Sequence, residues 1–141
     1  MNDQEKNPQE YDILGFDAVA RSEQGREIEL LCEDGLTGTG VFVTIIGKHA
    51  EAVSRWNAKL INEAQKEVAL AQRTGKMSPP KPIEELRLRN IEGAALRVVA
   101  WRNVKQGFSQ ELMRASLARN PHWVDQIVEE SDKVGNFMQK Q

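Results

Sequence analysis

The hydrophobic positions first alternate. In "GREIELLCEDG", Ile28, Leu30 and Cys32 fall on one side of an extended chain, with Glu27, Glu29 and Leu31 on the other. "DGLTGTG" supplies turn chemistry, and "VFVTII" at 41–46 is dense in β-branched residues, so a second strand is predicted there. The simplest connection is an antiparallel hairpin whose loop is longer than a tight two-residue turn. Upstream, "YDILGFDAV" holds the first ordered element, of a type its pattern leaves open; a third strand from 11–19 can pair at one edge. Residues 1–10 are polar and read as a flexible tail.

The period then lengthens. Over 49–73, Val53, Trp56, Leu60, Ile61, Ala64, Val68 and Ala71 share one side of a helix, and Ala, Glu, Gln and Lys fill the rest. Such a helix extends roughly 37 Å. A compact domain of this length has a radius of gyration of about 14 Å, so the helix crosses the domain or projects beyond it. "TGKMSPPKP" at 74–82 breaks the pattern: Gly75 can stop the helix, and Pro82 can open the next. The simplest reading is a turn between two packed helices in a single domain spanning 11–141. A further helix is predicted over 83–101, with Ile91, Ala94, Ala95, Val98, Val99 and Trp101 as its buried face. Ser109 caps a short helix through 119. Asn120 and Pro121 start a last one reaching 138 after a tight corner. Together these elements predict an α+β fold: a small N-terminal antiparallel hairpin or three-stranded sheet, then a predominantly helical body.

Composition narrows the class without changing this picture. Of 141 residues, 40% are hydrophobic and 28% charged, the balance of an ordinary globular domain. The net charge of −2 and the lack of a long basic tract speak against direct nucleic-acid binding. No run approaches the ~18 apolar residues of a membrane helix, and the polar N-terminus lacks the apolar run of a secretory signal. The single cysteine, Cys32, cannot form an internal disulfide.

Candidate chemistry is sparse. His49 and His122 belong to no local metal motif, and one cysteine with two histidines gives little basis for structural zinc. "GLTGTG" lacks the lysine of a phosphate-binding loop and precedes a strand, where such a loop should deliver its ligand to a helix. Glu84/Glu85 and Glu129/Glu130 are adjacent on helices and so diverge. Ser109 serves better as a cap than as a nucleophile. The sequence therefore nominates no catalytic, cofactor-binding or metal-binding residue, and the expected function is not enzymatic.

The closing segment "NPHWVDQIVEESDKVGNF" carries the most suggestive pattern. On one continuous helix Ile127, Val134 and Phe137 all fall within about 40° of Trp123, with Asp125, Glu129, Asp132 and Asn136 opposite. The apolar side is wide, as suits a globular contact. Trp and Phe also dominate protein interfaces, so this face either seals the core or meets a partner. Trp123, Ile127, Val134 and Phe137 are the candidate protein-binding residues.

"VVAWRNV" and then "GFSQELMRASLARNPHWVDQIVEESDKVGNFM" resemble the tail assembly chaperones of long-tailed bacteriophages. The resemblance lies in Trp101 after an apolar run, Gly107 with Phe108 and Ser109, Pro121 through Ile127, and Asn136 with Phe137. "EDGLTGTGVFVTIIGKHAEAVSRW" is similar as well, although many relatives are more acidic at 47–52; the likeness spans roughly 25–139. It implies a protein without an active site that coats the tape measure protein and brings tail tube subunits to it. It also implies action in the bacterial host cytoplasm during phage assembly or prophage expression, and a capacity to form homo-oligomers. Such proteins often exist in short and frameshifted long forms, and this chain looks like the short one. Two other readings stand beside it: a structural phage component, such as a head–tail connector or tube terminator, and a small enzyme or regulator.

Overall fold

The computed structural model describes residues 9–138. The tail predicted over 1–10 lies outside the described residues except for Gln9 and Glu10, which are exposed coil. The α+β class is observed: an antiparallel sheet begins with an N-terminal hairpin, and most of the chain beyond that hairpin is helical. A 3-10 turn, Ile13–Gly15, leads into α1 (Ala18–Gln24), capped where the Asp17 carboxylate accepts Ala20 N–H at 2.9 Å. Strands β1 (Arg26–Leu31) and β2 (Gly38–Ile45) form the hairpin. Its loop is an Asx turn: the Asp34 carboxylate accepts both Leu36 N–H at 2.9 Å and Thr37 N–H at 2.8 Å, as well as the Thr37 hydroxyl at 2.6 Å. Those donors favour the ionised form and hold Asp34 down at about 2.

The third strand does not come from 11–19, where the backbone is turn and helix. It is β3 (Val98–Arg102), antiparallel to β2, giving the order β1-β2-β3. Between β2 and β3 run α2 (Glu51–Thr74) and α3 (Ile83–Ala95), joined by the proline-rich turn. Gly75 ends α2 in a left-handed conformation, φ 68°, its N–H donating to Ala71 O at 2.8 Å. The helix predicted over 83–101 thus stops at Ala95. Val98, Val99 and Trp101 fit a helical period equally well, but their β-branched and aromatic side chains suit a strand. A two-stranded hairpin is marginal without a third strand. The switch is pinned by Ile46 N–H donating to Arg97 O at 2.8 Å.

Helices α4 (Gln110–Arg119) and α5 (Pro121–Asp132) meet at the Asn120 corner, as predicted, and Ser109 Oγ accepts Leu112 N–H at 3.1 Å. The last helix ends six residues early. Lys133 is extended (ψ 102°), and a 3-10 turn, Val134–Phe137, comes next. Asn136 organises this break. Its amide donates to Glu130 O at 2.9 Å and to the Glu130 carboxylate at 2.8 Å, while its oxygen accepts from Arg26 at 2.7 Å. One side chain thereby satisfies a helix-end carbonyl and ties the helix to β1.

One face of the sheet is solvated. There Arg102 pairs with Glu27 through bonds of 2.8 and 2.7 Å and lies over the Phe42 ring at 4.0 Å. The other face contributes Leu30, Val43, Ile45 and Val98 to a core completed by Ile91, Ala94, Ala95, Met113, Leu117, Ile127 and Phe137. The outer rim of β1 is closed by α5: Gln126 accepts Leu31 N–H at 3.1 Å and donates to Glu29 O at 2.8 Å, as a neighbouring strand would.

Candidate protein-interaction surface

The four residues nominated from sequence do not share a surface, because the helix that would align them ends at Asp132. Ile127 is fully buried in the core. Trp123 is half-buried, its indole N–H donating to Leu31 O at 2.7 Å, and His122 Nε2 lies 3.1 Å from the same oxygen. Phe137 is 8% exposed and packs beside Gly47 and Ser22, while Val134 is 42% exposed. A tight glycine makes room for Phe137: a Cβ on Gly47 would stand 2.7 Å from Ser22 Oγ and 2.9 Å from the Phe137 ring. The closing segment therefore acts chiefly as a seal on the chain's own core, with Val134 at its margin.

The apolar surface left uncovered lies elsewhere. Of the stripe predicted on the long helix, only Val53 is fully buried. Trp56, Leu60 and Ala71 are half-buried on the side facing α3. Trp56 packs on Gly93, and two ion pairs bridge the helices or their turn, Arg89–Glu63 at 3.2 Å and Lys81–Glu67 at 3.5 Å. Ile61 and Val68 stand about 100° around the helix from that seam and are exposed, Ile61 by 56% and Val68 by 58%. Met77 in the turn and Ile83 and Leu88 on α3 are exposed as well, Leu88 beside Trp56 and Leu60 and Ile83 beside Leu117 and Val124. A second exposed run, Tyr11, Ile13, Leu14, Phe16 and Val19, occupies the N-terminal segment.

Trp101 and Trp123 line a cleft of about 280 Å³ together with Leu30, Val41, Leu112 and Arg119. Its lining contains no carboxylate and no histidine. Among the described residues, no three His, Cys, Asp or Glu side chains stand together as a metal site. His49 is exposed ahead of α2, and the Cys32 thiol is free.

Comparison with models of known protein families, with curated proteins and with solved structures found no match.

Ile61 and Val68, exposed in the structure, were visible in the sequence only as part of the long stripe. What the one-dimensional pattern could not say is which part of that stripe the fold covers. One signal was present: the stripe is too wide for one helical neighbour, since Trp56 and Leu60 diverge from Ile61 and Val68.

Proposed function

We propose that this chain is a tail assembly chaperone of a long-tailed bacteriophage, holding the tape measure protein through apolar helical contacts and recruiting tail tube subunits to it. The observation that carries the reading is the Ile61–Val68 stripe, an apolar helix face left exposed by its own fold. Large apolar side chains contribute roughly 1.5–3 kcal/mol each when they leave water. A helical client can cover these positions by laying its own apolar face along α2. The charged residues around the stripe keep the free chaperone soluble and its grip reversible. Val134, exposed at the margin of the closing segment, belongs to the same proposal as a peripheral contact.

The test is co-expression with the tape measure and tail tube proteins of the same phage, and then co-purification. Wild-type chain is expected to retain the tape measure protein, and Ile61→Gln with Val68→Gln to lose it while remaining folded. A Val134→Asp chain is expected to fold and to show a smaller loss. Failure of wild-type chain to form any complex would overturn the proposal. Stable incorporation into finished virions would instead make the chain a structural connector.

A further inference from the structure

Arg97 Nε is the one fully buried side-chain nitrogen or oxygen among the described residues that finds no hydrogen-bond partner. Arg97 itself is 5% exposed, yet its Nε–H has no acceptor. Nη1 donates to Gly93 O at 2.6 Å, the single bond that its side chain makes among the described residues. No carboxylate there stands within ion-pairing distance. Burial pushes its pKa below the ordinary arginine value, opposed by the field of Asp132. A guanidinium offers five N–H donors in a planar fork that matches a carboxylate. Leaving such a group buried and unpaired is costly.

Arg97 lines a cleft of about 390 Å³ between α2, α3 and α5. Trp56, Leu60, Val124 and Val128 give it apolar walls, all half-buried. Asp125 and Asp132 also line it and are exposed, while the nearby Arg89 is engaged by Glu63. A lone internal cation with two acids nearby does not suit a polyanion, which Asp125 and Asp132 would repel. It suits one carboxylate on an otherwise apolar ligand, flanked by basic groups that meet those acids.

We propose that the cleft between α2, α3 and α5 is a docking site for an apolar helix of a partner protein, whose central Glu or Asp pairs with Arg97 and whose flanking Lys or Arg meets Asp125 and Asp132. The mode is helix in groove, with a buried charge pair fixing the register. The site is separate from the Ile61–Val68 stripe, and its test uses no phage partner, so its failure and that of the chaperone reading are distinguishable.

Two matched probe pairs decide it on the full chain. The first is 4-phenylbutyrate against 4-phenylbutyramide, titrated while the Arg97 Nε–H and Trp56 indole resonances are tracked by NMR. The carboxylate is expected to move both resonances at a concentration about tenfold lower than the amide. Arg97→Met should erase the difference, and Asp132→Asn should tighten carboxylate binding several-fold by removing a competing acid. Equal response to both probes, or an unmoved Arg97 resonance, overturns the site. So does weakened carboxylate binding in Asp132→Asn. If Arg97→Met does not fold, the wild-type pair and Asp132→Asn carry the same decision. The second pair is a short helical peptide with a leucine stripe, flanking lysines and a central Glu, against its Gln twin. Preference for the Glu peptide supports the helical occupant. A site that takes the fragment but shows no such preference overturns it. So does a doubling of mass lost in Arg97→Met, which would mean that a second copy supplies the carboxylate.

Discussion

Two residues show how single groups set the hairpin and the seal. Asp34 holds the β1–β2 loop by accepting from two backbone N–H groups and one hydroxyl. Its folded pKa, about 2, lies below the ordinary carboxylate value. A depressed carboxylate pKa means that this stabilisation is fully present above the unfolded pKa of roughly 4 and is lost as pH falls through the folded one. Asp34→Ala is therefore expected to lower Tm at neutral pH, with the gap from wild type closing between about pH 4 and pH 2. A gap independent of pH would mean that the loop does not rely on the charge. At Gly47 the governing quantity is space. Gly47→Ala must push Phe137 or Ser22 aside and should cost about 1–3 kcal/mol in urea unfolding. Phe137→Leu in the same chain should recover part of that, since the ring supplies one of the two clashes.

At the scale of elements, the stripe on α2 divides into a half that belongs to the fold and a half that does not. Ile61→Gln with Val68→Gln is expected to change the free energy of unfolding by less than about 0.5 kcal/mol, because both side chains are exposed and glutamine is a good helix former. Val53→Gln places an amide where no exposure remains and should cost about 2 kcal/mol or more. Chemical denaturation of the two variants checks both values. Equal costs would place Ile61 and Val68 in a covered interface. These elements also show what the sequence could reveal. The hairpin, the Ser109 cap, the Asn120–Pro121 corner and the Gly75 stop were legible because each depends on neighbouring residues. The strand at 98–102 was not, because its reason lies on β2, more than fifty residues away in the chain. The break at Lys133 was hidden for the same cause: the amide that caps α5 is fixed by Arg26 far back in the sequence. The candidate surface obeyed that logic, since Ile127 and Phe137 were claimed by core partners that no local window contains.

For the whole molecule, cohesion is uneven. β2, α4 and α5 contribute fully buried side chains, whereas the distal part of α2 and its turn are held by exposed or half-exposed ion pairs. Such pairs are worth at most about 1 kcal/mol each. Hydrogen exchange read by mass spectrometry is expected to label 61–82 well before 43–46 and 113–127. Protection of 61–82 in the isolated chain equal to that of the core would mean that the distal part of α2 and its turn are already covered, by a second copy or by the fold itself. A partner that clasps α2 should slow exchange there while leaving the core unchanged.

The carboxamide of Gln126 occupies the rim of β1 at Glu29 and Leu31 as an adjacent strand would, whereas β3 at the other border pairs with β2 alone among the described strands. The capped border at Glu29–Leu31 hinders edge-to-edge stacking of this sheet, a restraint that suits a chain with apolar helix surface in water.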